Sequence, residues 1–199
     1  MQYGGLGPET LHLCVDMQQI FAPGSPWAVP WIERILPAVV ALVEASPART
    51  LFTRFIPPER PGDARGAWAR YYAAWPMMLR QNLDLRRLDL LPALSRHSPP
   101  ARVLDKAVYS PWHDGSLHWS LHRAGITALV VSGGETDVCL LATVLGAVDL
   151  GYRVVLVADA TCSSTDQGHE AAMALYRHRF SHQIETAELE QVLDAWRPG

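Results

Sequence analysis

Lysine is almost absent from this chain. It occurs once, as Lys106, although the sequence has 17 lysine and arginine residues in total. A preference for arginine explains why lysine is scarce, but it does not explain the one position that kept it. An ammonium is a compact charge whose pKa shifts readily on burial, and a guanidinium cannot replace it in that role. Lys106 is therefore either a stray surface residue or a residue placed for chemistry.

Basic charge and long apolar runs are missing too, which narrows the class of protein. The formal net charge is −3, so we expect neither a nucleic-acid partner nor binding to an anionic membrane. Polar or charged residues interrupt every apolar run before it reaches membrane-spanning length. Residues 1–17 lack the basic start and long apolar stretch of a signal peptide. We therefore predict a cytoplasmic protein.

Cysteine is scarce, with only Cys14, Cys139 and Cys162 present. The sequence has no C-x-x-C and no Cys/His cluster at zinc spacing, and an odd number of thiols leaves at least one unpaired. A disulfide framework and a zinc site are both disfavoured. Cys14 lies within a predicted strand and is expected in the core. Cys139 and Cys162 each follow a strand.

Strand-like and helix-like segments alternate along the whole chain. Strands are predicted within residues 11–17, 49–56, 101–110, 126–133 and 152–160, with a short last strand before a terminal helix. Strands separated by helices at this spacing indicate βαβ units. We predict one domain over residues 1–199, a three-layer αβα fold with a doubly wound, mainly parallel, Rossmann-like sheet. No G-x-G-x-x-G follows the first strand, which disfavours a nucleotide-binding oxidoreductase, and we expect no cofactor.

Three titratable residues fall at or near the carboxyl ends of predicted strands. Asp16 closes the first strand, Lys106 lies late in the third, and Cys139 follows the fourth. Ligands of open α/β sheets bind beyond these ends, so the three side chains should converge there. Each also has a plainer interpretation, since Asp16 could cap a turn and Cys139 could be a buried packing thiol. Their combination favours a nucleophilic site.

The residue types suggest a role for each group. At a helix N-terminus, Cys139 would feel the positive end of the dipole, and with Lys106 nearby this would favour thiolate. Asp16 could take the thiol proton, pass it to a leaving amine and then activate water. Backbone N–H groups from Glu135 to Cys139 would be free to bind an oxyanion, because the first turn of a helix has no internal partners for them.

The segments "CVDMQQIF", "LDKAVYSPW" and "VVSGGETDVCLL" together resemble the isochorismatase-like cysteine hydrolases, which include nicotinamidases and N-carbamoylsarcosine amidases. The likeness runs from about residue 11 to residue 184. It implies that Asp16, Lys106 and Cys139 form the catalytic triad. It also implies a cis peptide between Gly134 and Glu135, which turns the N–H groups of Glu135 and Cys139 into an oxyanion hole, and a homo-oligomer, either dimer or tetramer.

One departure from the family bears on metals. Nicotinamidases bind a metal through an aspartate and histidines after the second strand, in a pattern like D-x-H-P. The corresponding region here reads "TRFIPPERPGD", with Phe55 and Pro57 where we align the ligands. We therefore expect no metal site. Isochorismatases that cleave a vinyl ether typically lack the cysteine that this chain has.

Aromatic residues are expected around the substrate. Trp68, Tyr72 and Trp75 share a helical face, and this segment could be core, a lid or a subunit contact. Phe21 follows the Asp16 motif, and Tyr109 and Trp112 follow Lys106. We predict that Phe21, Trp75, Tyr109, Trp112 and Glu135 contact the substrate, with the Glu135 carboxylate accepting a substrate N–H. Arg54 is a weaker candidate, for binding a substrate carboxylate.

The predicted function is metal-independent hydrolysis of a C–N bond in a small amide, ureido or carbamoyl compound, through a thioester on Cys139. Vinyl-ether hydrolysis of the isochorismatase type is one alternative. A binding protein that kept the triad without turnover is another.

Overall fold

Six strands form one sheet in which every neighbouring pair is parallel. The computed structural model describes residues 1–197 and orders the strands β3-β2-β1-β4-β5-β6. The strands are β1 Thr10–Val15, β2 Thr50–Phe55, β3 Arg102–Lys106, β4 Ala128–Gly134, β5 Arg153–Cys162 and β6 Ile184–Ala187. The predicted strands are confirmed, although the third is shorter than expected.

Helices connect the strands and flank the sheet, which confirms the predicted three-layer αβα class. They are α1 Ile32–Ala45, α2 Ala67–Ala74, α3 Pro92–Ser95, α4 Ser116–Arg123, α5 Cys139–Asp149, α6 Asp166–Ala174 and α7 Leu189–Ala195. Helix α1 packs against β1, β4, β5 and α7, and α5 packs against β4 and β5. No helix among residues 1–197 is long and apolar enough to cross a membrane.

The central strands carry most of the core. Every residue of β1 is buried, and so is each residue of β4 up to Gly133. Burial on both faces explains why these strands read as apolar runs and not as alternating patterns. The edge strand β3 is different, because Arg102, Val103 and Asp105 are exposed.

Local sequence signals explain where two of the helices begin or end. The α2 helix stops before Pro76, whose ring cannot continue a helix. The Thr165 side chain caps α6 by accepting a hydrogen bond from the N–H of Gly168. A π-helical turn, Leu175–Arg179, follows α6 and was not predicted.

The strand order reverses between β1 and β4, and their carboxyl ends frame a crevice. Asp16 follows β1 directly with a φ of 53°, which a non-glycine residue seldom adopts. Gly133, near the end of β4, has a φ of 108°, and a Cβ there would collide with the backbone of Val15. Only glycine allows the two strands to approach this closely. The crevice lies at the topological switch point, where ligands of such sheets bind.

Candidate active site

A buried ion pair lies at the carboxyl edge of the sheet. The Lys106 Nζ donates to Asp16 Oδ2 at 2.6 Å, and the two side chains are 4% and 1% exposed. Asp16 Oδ1 accepts a second hydrogen bond, from the Thr53 hydroxyl at 2.6 Å. Lys106 also donates to the carbonyl of Val108 at 3.3 Å and lies 5.2 Å from the centre of the Phe55 ring. The carboxylate and the ammonium are therefore both held in fixed positions.

Cys139 completes this cluster. It is the first residue of α5 and is buried, and its thiol is close enough to Asp16 and Lys106 for both to act on its pKa. The structure thus brings together the three residues that the sequence placed at separate strand ends.

The expectation that Cys139 rests as a thiolate is wrong. Burial, together with the nearby Asp16 carboxylate, raises the pKa of the Cys139 thiol well above its usual value, and the Lys106 charge only partly offsets this. The helix dipole and one ammonium do not compensate for removing the thiol from water. The resting thiol is therefore neutral, with the negative charge on Asp16.

Lys106 stays charged despite its burial. Burial is the largest single effect and opposes the ammonium form, but Asp16 and Cys139 together outweigh it and raise the pKa of Lys106. A buried lysine without such a partner would lose its proton more readily. The ion pair of Asp16 and Lys106 is therefore the ground state of the site.

Unpaired backbone N–H groups lie beside the thiol. The N–H groups of Thr136, Val138 and Leu140 donate to backbone carbonyls, whereas those of Glu135 and Cys139 have no hydrogen-bond acceptor among residues 1–197. The N–H of Asp137 lacks an acceptor in the same part of the chain. The Gly134–Glu135 peptide is cis. Two of the free donors are those expected to bind an oxyanion.

A cavity of about 340 Å³ opens above the Cys139 thiol. Its aromatic lining consists of Phe21, Trp27, Phe55, Tyr71, Trp75 and Tyr109. The other lining residues are Pro26, Ala28, Glu135, Val138, Cys139 and Ser164. The volume suits a small molecule, and the lining is mostly apolar with a few polar groups, as in ligand sites generally.

Four of the five predicted substrate contacts line this cavity: Phe21, Trp75, Tyr109 and Glu135. Trp112 does not. Its Nε1 donates to the carbonyl of Thr143 at 2.8 Å, and its ring stacks on Tyr152 with 5.6 Å between centroids. Trp112 therefore packs against α5, and the indole N–H is satisfied there.

Arg54 does not face the cavity either. Its guanidinium forms hydrogen bonds of 2.7 and 2.9 Å to Asp105 and a longer bond of 3.4 Å to Asp89. Alternating side chains of a strand point to opposite faces, and Arg54 points away from the face that bears Phe55. The positive charge of Arg54 is therefore paired with carboxylates at the surface.

The aromatic segment 68–75 forms one wall of the cavity. Tyr72 is buried, Tyr71 and Trp75 line the cavity, and Trp68 lies 4.7 Å from the Tyr109 ring. The residues of this segment that line the cavity are Tyr71 and Trp75, four residues apart; Trp75 belongs to the helical face noted in the sequence, and Tyr71 does not.

Sequence reasoning missed several residues of this site. Trp27, at the centre of the aromatic cluster, follows a proline–glycine turn that carries no helix or strand signal. Thr53 is one of three polar residues in β2, with Thr50 and Arg54, so its residue type alone does not mark it. Ser164 donates its backbone N–H to Glu135 Oε1 at 3.1 Å, a contact that no sequence pattern reveals.

The residues present do not fit the metal site of the related nicotinamidases. Phe55 lines the cavity where a ligand would be needed, and Pro57 has no side-chain donor. Within residues 1–197, no three His, Cys, Asp or Glu side chains are grouped so that they could hold a metal ion. No step of the chemistry below passes through a metal.

The fold and this site define a doubly wound α/β protein with a thiol, a carboxylate and an ammonium at its switch point. Residues 10–188 match the family model described as the Isochorismatase domain. The chain therefore belongs to the isochorismatase family of hydrolases.

Curated relatives differ in what they are reported to do. A probable inactive nicotinamidase of Arabidopsis thaliana is 26% identical over 175 residues, covering 82% of this chain and 85% of that protein. A ureidoacrylate amidohydrolase of Methylorubrum extorquens is 30% identical over 172 residues, covering 76% and 69%. The family thus includes C–N hydrolases and at least one member described as inactive.

Solved structures agree on the fold. An isochorismatase family protein from Desulfovibrio vulgaris superposes with a TM-score of 0.79 at 22% identity, covering 94% of this chain and 97% of that one. At this identity the likeness concerns the fold alone.

Proposed function

We propose that this protein is a cysteine amidohydrolase that cleaves the C–N bond of a small amide, ureido or carbamoyl compound. The observation that carries the proposal is the position of Cys139, which lines an aromatic cavity and lies close enough to the Asp16–Lys106 pair for both charges to act on its thiol. A buried charge pair is costly to maintain, so its position beside a thiol calls for a chemical reason. The amidohydrolase relative supports the same class of bond.

The first half-reaction forms a thioester. Asp16 takes the proton of the Cys139 thiol as the sulfur attacks the carbonyl carbon, which becomes tetrahedral. The N–H groups of Glu135 and Cys139 stabilise the oxyanion. The C–N bond then breaks, the oxyanion collapses to a carbonyl, and the Asp16 proton goes to the departing nitrogen. Ammonia or an amine leaves, and Asp16 is again a carboxylate.

The second half-reaction returns the thiol. Asp16 deprotonates a water molecule, whose oxygen attacks the thioester carbonyl. The C–S bond breaks, the acid is released, and the Asp16 proton passes to the Cys139 sulfur. A neutral resting thiol suits this cycle, because Asp16 must be ionised before it can act as the base.

Lys106 holds the Asp16 carboxylate in place and balances its charge. Its ammonium gives the carboxylate a partner at 2.6 Å, while Thr53 holds the other oxygen. As Asp16 accepts a proton, the Lys106 charge becomes free to stabilise the developing thiolate. Lys106 thus balances charge at both stages.

The test is release of ammonia or amine from a panel of small primary amides and ureido compounds, without added metal. We expect turnover of at least one compound by the wild-type protein and none by Cys139→Ala. Cys162→Ala is the matched control, because Cys162 is another buried thiol at the same edge of the sheet but lies outside the proposed triad. It should retain activity.

Hydroxylamine provides a second readout, since it intercepts a thioester as a hydroxamate. Hydroxamate formation that depends on Cys139 supports the acyl-enzyme. Turnover that survives in Cys139→Ala contradicts the proposed nucleophile. No turnover and no hydroxamate across a broad panel would favour the binding protein instead, as the inactive relative illustrates.

A further inference from the structure

The cavity has an unusual charge composition. Of its lining residues, Glu135 is the only one with a carboxylate, and none is arginine, lysine or histidine. A substrate that carries a carboxylate on its acyl part would therefore find no cation lining this cavity.

Two cationic side chains near the cavity, Lys106 and Arg54, are already paired with carboxylates. Lys106 is almost fully buried and paired with Asp16 at 2.6 Å, so together they present no net charge. Arg54 is bound to Asp105 and Asp89 on the surface. Neither can turn towards a ligand without leaving a carboxylate unpaired.

Glu135 presents its carboxylate to the cavity. Oε1 accepts the N–H of Ser164, and Oε2 has no hydrogen-bond partner among residues 1–197. The side chain is partly buried, and burial raises its pKa. In its ionised form the carboxylate attracts a hydrogen-bond donor or a cation and repels an anion.

The aromatic walls of the cavity also favour a cationic ligand over an anionic one. Trp27 lies between Tyr71 and Trp75, with ring centroids at 5.8 and 6.3 Å, and stacks on Phe21 at 6.3 Å. The faces of such rings carry partial negative charge, and they attract cations and repel anions. The effect is stronger where water is excluded.

We propose that the site selects a flat amide whose acyl part is cationic or uncharged, and that it rejects acyl parts that carry a carboxylate. The preference should follow the order cation, neutral, anion. This inference rests on the proposed function for its catalytic readout, but it concerns the charge of the ligand and not the bond that is cleaved.

Two pairs of flat isosteres separate charge from shape. The 4-carbamoyl-1-methylpyridinium cation is matched by 4-methylbenzamide, and 4-carboxybenzamide is matched by 4-nitrobenzamide. Each pair is compared in the wild type and in Glu135→Gln, which keeps the backbone N–H and an acceptor for Ser164 but removes the charge. The electronic effect of each substituent cancels between the two proteins.

We expect 4-carboxybenzamide to bind the wild type at least about tenfold more weakly than its nitro isostere. In Glu135→Gln, kcat/KM for the cation should fall about tenfold relative to 4-methylbenzamide, and kcat/KM for the carboxylate should rise about tenfold relative to the nitro compound. Equal binding of the carboxylate and nitro compounds by the wild type, with no change in Glu135→Gln, would overturn the inference.

Calorimetric Kd values for the same four compounds distinguish this inference from the proposed function. If none is turned over but binding follows the order cation, neutral, anion, the charge selection stands and the amidohydrolase proposal fails. Equal Kd values for all four, or binding of none, would overturn the charge selection.

Discussion

His12 and Asp16 lie four residues apart at the first strand, and both are buried, yet their surroundings differ. The two ring nitrogens of His12 meet neutral hydroxyls, those of Thr50 at 3.3 Å and Ser132 at 2.8 Å. The Asp16 carboxylate meets the Lys106 ammonium and the Thr53 hydroxyl, both at 2.6 Å.

The difference separates a buried group used for packing from one used for chemistry. His12 lies in the middle of the sheet, where burial lowers its pKa from 6.5 to about 3 and keeps it neutral. Asp16 lies one residue past the strand, beside a cavity and a thiol. A neutral side chain that is hydrogen-bonded to neutral groups can be buried in a dry core. A buried ion pair has a high desolvation free energy, so its presence points to a function.

Removal of the Asp16 charge should have the largest effect. Asp16→Asn deletes the proposed base and leaves Lys106 buried without a counter-charge. We expect kcat/KM to fall on the order of a thousandfold or more, and the free energy of unfolding to fall by about 3 kcal/mol.

Asp105→Asn is the matched control, because Asp105 precedes Lys106 on β3 but pairs with Arg54 at the surface. Kinetics and chemical denaturation of both variants provide the measurement. Comparable activity of Asp16→Asn and the wild type would show that Asp16 is structural, as His12 is.

Acid should destabilise the protein through His12. His12 binds a proton near pH 6.5 in the unfolded chain and only near pH 3 in the folded chain. The free energy of unfolding therefore falls as the pH drops between these values. The loss of unfolding free energy is about 1.4 kcal/mol per pH unit in this window, and it is absent above pH 6.5.

Urea denaturation between pH 7 and pH 4 measures this slope. His12→Gln keeps hydrogen-bonding groups in place but cannot titrate. The unfolding free energy of this variant should therefore depend less steeply on pH, by the equivalent of about one bound proton. Parallel slopes for the two proteins would show that His12 is accessible to protons in the folded state.

The fold was largely accessible from sequence, because its signals are local and redundant. Apolar runs such as residues 126–133 predict strands, and the proline at position 76 predicts the end of a helix. The parallel sheet follows from the alternation of predicted strands and helices. The convergence of Asp16 and Cys139 also follows, since the carboxyl ends of parallel strands share one edge.

The interior of the site was harder to predict from the sequence, because the residues that line it depend on which face each side chain occupies. Trp112 and Tyr109 are three residues apart after the same strand, yet one packs on α5 and the other lines the cavity. The neutral state of Cys139 depends on burial, which the helix-dipole argument leaves out. Trp27 lies in a turn whose path only the folded chain defines.

A smaller effect is expected at Thr53, which positions Asp16. Its hydroxyl donates to Oδ1 and also receives the Asp16 N–H at 3.2 Å. Thr53→Val keeps the shape and removes both bonds, so kcat/KM should fall about tenfold, mainly through kcat. Thr53→Ser should restore activity. A loss of stability with unchanged kcat and KM would assign Thr53 a packing role alone.

Trp112 and Trp75 provide the finest comparison, because both were expected at the substrate and only Trp75 lines the cavity. Trp112→Phe keeps a ring against Tyr152 but loses the hydrogen bond to the carbonyl of Thr143. We expect a cost of about 1 kcal/mol in unfolding free energy and no change in kcat/KM beyond about twofold. Trp75→Phe should instead change KM by several-fold with little loss of stability, because a cavity-lining ring contributes more to the ligand than to the core. An equal kinetic effect of both substitutions would place Trp112 back at the substrate, and denaturation curves measured beside the kinetics separate the two contributions.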